Sequence, residues 1–145
     1  MKNNIDTTAL FNKMQANSKE ALLMPPPSFT LMQCEVIAYD KDRHTLIVKI
    51  PVIEAWLNPY KTMQGGMVNA AIDNAVGPLS LLIATANITR HMETKFLRPI
   101  TLVTDYIFVK ASLSEMKKRR LSFDVSVEDE KGEVFVEAKV VNFIL

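Results

Sequence analysis

Cysteine is nearly absent from this chain: Cys34 stands alone, so no internal disulfide can form. His44 and His91 are the only histidines, and with one cysteine they are too few for a structural zinc cluster. An excess of charge of either sign is also lacking. The formal net charge of +1 supplies no field that would draw nucleic acid or an anionic membrane. The opening Met1 to Thr8 has no apolar signal core. The longest apolar run, Val76 to Ala86, contains Gly77 and Pro78 and is too short to cross a bilayer. The expectation is a cytoplasmic chain of one domain, 145 residues long, without nucleic-acid or membrane partners. No Gly-rich phosphate loop with its lysine, no G-x-S-x-G elbow and no H-E-x-x-H occurs. Nucleotide hydrolysis, serine hydrolysis and zinc proteolysis therefore have no residues to work with, and no cofactor is called for.

Glycine is scarce too, and its placement is uneven. Three of the four glycines, Gly65, Gly66 and Gly77, fall in the stretch from Asn58 to Gly77. The adjacent pair stands directly ahead of an apolar helical pattern, where it permits a tight turn and close approach to backbone N–H groups. A helix starting there offers unpaired donors and the positive end of its dipole. On a wheel of ~100° per residue, Val68, Ala71, Ala75, Leu79 and Leu82 share the side that packs on a sheet. Asp73 falls opposite, among Asn69, Ala70, Gly77, Ser80 and Ala84. A solvated face would carry Lys, Glu or Arg, and none occurs between Gln64 and Arg90. That face is expected to be covered by a second subunit or a ligand. The plain alternative for Asp73 is a structural carboxylate that accepts local hydrogen bonds.

In chain order, Asp6 to Leu23 reads as an amphipathic helix ended by Pro25-Pro26-Pro27. Phe29 to Tyr39 and Thr45 to Pro51 read as strands around the turn Asp40 to His44, with His44 in solvent. Val52 to Met63 is a loop. In the helix that follows, Pro78 costs ~3 kcal/mol if the helix runs through undistorted, which predicts a kink or an end near Gly77. Four strands complete the chain: Ile88 to Leu97, Thr101 to Leu113, Arg119 to Asp129 and Glu133 to Ile144. Met92, Thr94 and Phe96 alternate with His91, Glu93 and Lys95, and Asp129 to Gly132 is a hairpin turn. The class is α+β, an antiparallel sheet with one helix lying across it.

From about Thr30 to Leu145, the order of parts and the central residues resemble the hotdog-fold acyl-CoA thioesterases of the hydroxybenzoyl-CoA thioesterase superfamily, phenylacetate-degradation type. The motifs that carry the resemblance are Asn58, then Gln64-Gly65-Gly66, then Asp73-Asn74-Ala75, and later Thr89 to Pro99. The resemblance implies a curved sheet of five to six strands around a central helix, with residues 1–27 as an N-terminal helix and Pro-rich linker and 28–145 as the hotdog domain. It also implies a homodimer or dimer of dimers, with an acyl-CoA substrate threaded between subunits.

Residue by residue, the resemblance makes Asp73 the nucleophile or general base and Asn58 the amide that positions water or thioester. Gly65 becomes the N–H donor to the carbonyl, and Thr89 a hydroxyl from the partner chain. Gln64 stands where the family has histidine; it donates a hydrogen bond but cannot titrate. Gly66, Asn69 and Tyr60 are assigned to the substrate, with Arg98 and Lys118 as phosphate partners. The basic run Lys117 to Arg120 has a plain reading as a solvated turn. Two functions follow: a thioester hydrolase using Asp73, or a non-catalytic acyl-CoA-binding hotdog module, which the missing histidine favours. A dehydratase is disfavoured because no histidine stands at the start of the helix.

Overall fold

One helix that is apolar over most of its circumference dictates the architecture, because such a helix has to be largely enclosed. In the computed structural model, which describes residues 5–145, that helix is α3 (Gly65–Ile83). Val68, Ala71, Ile72, Ala75, Val76, Leu79 and Leu82 are all buried. Helix α3 is long and apolar enough to cross a membrane by composition alone, but 56% of that stretch is buried inside the protein, as a core helix requires.

Around it curve β1 (Glu35–Asp40), β2 (Thr45–Pro51), β3 (Asn87–Phe96), β4 (Tyr106–Lys117), β5 (Arg120–Glu128) and β6 (Val134–Ile144). They form one antiparallel sheet in the order β1-β2-β4-β5-β6-β3. Period-two alternation turns Leu46, Val48 and Ile50, Ile107, Val109 and Ala111, and Leu121, Phe123, Val125 and Val127 onto the helix. Burying a side chain such as Phe123 contributes ~1.5–3 kcal/mol. Because α3 joins β2 to β3 across the sheet, β3 ends at an edge, where one row of its backbone groups has no partner strand among the described residues.

Simple alternation fails at one functional place. The β3–β6 register shifts between Thr89 and His91, so Arg90 is an extra residue. Beyond this bulge Met92 and Thr94 face the helix, as the alternation predicts. Before it the phase is reversed, and Thr89, paired with Asn142, turns inward.

Four sequence expectations are corrected. Helix α3 does not end near Gly77 but continues through Pro78 to Ile83. The fixed φ of proline suits a helix, so the loss is one hydrogen bond, and the ring is buried in return. The N-terminal helix α1 (Thr7–Ala16) stops seven residues before Leu23. The Gln15 side chain bonds Glu20 O and Leu22 N, folding the segment beyond the helix back on itself. Phe29 opens no strand but lies in α2 (Pro27–Leu31), where Pro27 takes the first turn that needs no N–H. His44 is half-buried rather than in solvent; its φ of 48° tucks it in, and its carbonyl accepts from Leu113 N.

The N-terminal residues pack on α3. Met14 is fully buried, Phe11 meets Phe29 edge to face, and Asn17 Nδ2 donates to Leu81 O, one of the last carbonyls of α3. Asn74 fastens α2 from the helix side: its Oδ1 accepts from Ser28 Oγ at 3.0 Å and its Nδ2 reaches Ser28 O. Asn74→Ala leaves these groups unpaired, at a cost of about 2 kcal/mol. That corresponds to a Tm lowered by about 4–8 °C, measurable by differential scanning calorimetry.

Cys34 is a half-buried thiol pushed up to about 12 by desolvation. At pH 8 its thiolate is scarce, so alkylation of the folded protein by iodoacetamide should run about 10³-fold slower than after unfolding.

Candidate active site

Two hollows open along α3. The first, about 310 Å³, lies at its N-terminus between Thr62, Met63, Gly65, Phe96, Arg98 and Ile100. The second, about 440 Å³, lies beside its middle and includes Asp73, Ser80, Leu81, Ile88, Thr89 and Asn142. A larger groove of about 870 Å³ runs over the outer face of the sheet, where Lys95, Lys110 and Lys139 alternate with Glu93, Asp124 and Glu137 and offset one another.

Asp73 is solvent-exposed on α3, and its Oδ1 accepts a hydrogen bond from Thr89 Oγ at 2.8 Å. One turn earlier Asn69 Oδ1 accepts from Thr94 Oγ at 2.6 Å. Two threonines of β3 thus orient the polar face of the helix, and the second oxygen of Asp73 has no hydrogen-bond partner among the described residues. Thr89, assigned by resemblance to a site shared with the partner chain, reaches the acid of its own chain.

At the helix start, Gln64 is the N-cap residue, but its exposed side chain makes no capping bond. The Phe96 ring lies over Gly65 so closely that a Cβ there would come within 3.3 Å of Phe96 Cζ, whereas Gly66 is open. Asn58 is committed to its own turn. Its Oδ1 accepts from Tyr60 N and Thr62 N, and its Nδ2 donates to Thr62 Oγ at 2.8 Å. Tyr60, at the tip, is 86% exposed. Arg98 is ion-paired with Glu133 and lies near the Phe135 ring. Lys118 is exposed in the β4–β5 turn with φ 56°. That turn lies at the end of the sheet where β3 begins, because Arg120 pairs with Phe143 and Phe143 with Ile88.

Gly65 and Asp73 are eight residues apart on one helix, which at 1.5 Å per residue is about 12 Å. One carbonyl group cannot touch both within a single chain. Sequence reasoning also passed over Asn142, although a polar residue in the inward series Val136, Ala138, Val140, Asn142 was a readable signal.

No family model and no curated protein matches the sequence. Among solved structures, the chain is similar to the Escherichia coli PaaI protein of the phenylacetic acid degradation operon. Identity is 14%, covering 95% of this chain and 97% of that one, with a TM-score of 0.77. A putative thioesterase, a phenylacetic acid degradation-related protein of Ralstonia eutropha JMP134, is 20% identical over 93% of this chain and 99% of its own, with a TM-score of 0.79. This chain has the hotdog fold. A hypothetical thioesterase of Streptococcus pneumoniae TIGR4, solved with coenzyme A, shares that fold at 19% identity over 76% of this chain and 86% of its own, with a TM-score of 0.69. A hypothetical thioesterase of that organism was also solved with alanine in place of an aspartate and in place of a threonine. Within the hotdog frame, α3 is the enclosed helix and β3 the strand alongside its polar face.

Proposed function

We propose that the chain is a thioester hydrolase acting on acyl-CoA, assembled as a homodimer with its sites between protomers. The observation that carries this reading is the exposed Asp73 carboxylate, oriented by Thr89 within a hollow on the enclosed helix. Solved neighbours of the same fold are named thioesterases, and one holds coenzyme A.

The dimer follows from the separation along α3. A carbonyl beside Asp73 of one protomer finds a helix N-terminal N–H only from another protomer. The open edge of β3 and the small-residue face of α3 around Asp73 are the surfaces that meet. In that cleft the Gly65 N–H donates a hydrogen bond to the carbonyl oxygen as negative charge develops there. Asp73 attacks the carbonyl carbon or takes a proton from the water that does, and the C–S bond breaks with departure of the CoA thiolate. Lys118 meets the nucleotide phosphates. Arg98, already paired with Glu133, shapes the helix-start hollow together with Gly66 and Tyr60, and Asn58 holds the loop that carries Tyr60.

The non-catalytic binding module is kept as the second reading because Gln64 supplies no titrating group at the helix start. Thiol release from short, medium, long and aromatic acyl-CoAs separates the two. Turnover of at least one substrate supports the hydrolase, whereas saturable binding with no thiol released supports the module.

A further inference from the structure

The cavity beside Asp73 contains a buried polar atom that catalysis does not use. Asn142 is 2% exposed, and its Oδ1 has no hydrogen-bond partner among the described residues. The neighbouring bonds fix which end of the amide is which. Asn87 Nδ2 donates to Thr85 O, which presents Asn87 Oδ1 to Asn142 Nδ2 at 2.8 Å. The unpaired end of Asn142 is therefore an acceptor. An acceptor buried without a donor is unfavourable by itself, so it calls for an occupant that donates.

The surrounding walls repeat this polarity. Ser80 Oγ donates to Gly77 O, Ser28 Oγ to Asn74 Oδ1, and Thr89 Oγ to Asp73 Oδ1. The side-chain donors are thus engaged within the protein, and what remains on offer is acceptor oxygen from Asn142 and Asp73.

Placement limits the occupant further. Asn142 is the cross-strand partner of Thr89, which holds Asp73. Paired residues on one face have Cβ atoms about 4.5–5.5 Å apart. A carbonyl carbon within about 3.5 Å of the Asp73 carboxylate then leaves the Asn142 oxygen only a few bonds away along the acyl chain. We propose that Asn142 is a specificity-determining residue whose Oδ1 accepts a hydrogen bond from a hydroxyl on the second or third carbon of the acyl group. On this basis the enzyme prefers 2- or 3-hydroxyacyl thioesters to their unsubstituted counterparts. The inference rests on the thioesterase reading given above.

The test compares kcat/KM for butanoyl-CoA, 2-hydroxybutanoyl-CoA and 3-hydroxybutanoyl-CoA in the wild type and in Asn142→Leu, which has nearly the same shape. The expected result is a preference of about tenfold or more for one hydroxylated substrate in the wild type, levelled in the variant. Equal rates in the wild type overturn the proposal without recourse to the variant, so its folding is not decisive. A preference that persists in Asn142→Leu also overturns it. So does an equal loss on all three substrates, which would assign a bound water to the oxygen. If no thioester is hydrolysed, the hydrolase reading fails separately. The same substitution is then read in the Kd values of the three intact thioesters by calorimetry, where a hydroxyl preference lost in Asn142→Leu supports the inference and equal affinities overturn it.

Discussion

Asp73→Asn should lower kcat for acyl-CoA hydrolysis by about 10³-fold while leaving the fold intact. Asparagine keeps an oxygen that accepts from Thr89 Oγ, so the orientation of the side chain survives, and only the charge and basicity are lost. An exposed position has little packing to lose, and Tm should stay within about 1 °C. Thiol-release kinetics beside a thermal melt check both halves. Activity retained within tenfold would remove Asp73 from the chemistry.

Gly65→Val is expected to be nearly as damaging to activity, by another route. The Cβ alone would come 3.3 Å from Phe96 Cζ, and the γ-methyls project into the 310 Å³ hollow at the helix start. Phe96 is 52% exposed and can move aside, and the backbone at Gly65 is not in the left-handed region, so stability should change little. What is lost is access to the helix N–H, and removing such a donor typically costs about 10²–10³-fold in rate. A rise in KM together with the fall in kcat is expected, because the occupied hollow also excludes substrate. Steady-state kinetics beside a urea melt check it, and a variant as active as the wild type would place the oxyanion donor elsewhere.

Where the sequence was legible, periodicity was the reason. The inward face of α3 at Val68, Ala71, Ala75, Leu79 and Leu82 and the alternation of Phe123, Val125 and Val127 follow from side-chain spacing alone. The helical spacing likewise set Asp73 opposite the packed side of α3, where it lies exposed. Where it was not legible, tertiary context decided. Pro78 is tolerated because its ring is buried, which no local propensity encodes. The helix at Pro27 exists because Asn74 and Phe11 receive Ser28 and Phe29. Arg98 read as a free cation until Glu133, distant in the chain, proved to be its partner. Asn58 read as a substrate amide, yet the geometry of the turn occupies both ends of it.

The extra residue at Arg90 gives β3 two halves that can be altered independently. Downstream, Met92 and Thr94 serve the interior; upstream, Thr89 serves the acid beside its buried neighbour Asn142. Paired without the bulge, the same residues would alternate strictly, turning Arg90 and Ile88 inward and the Thr89 hydroxyl outward. The bulge thus separates a braced acid from one facing a methyl group.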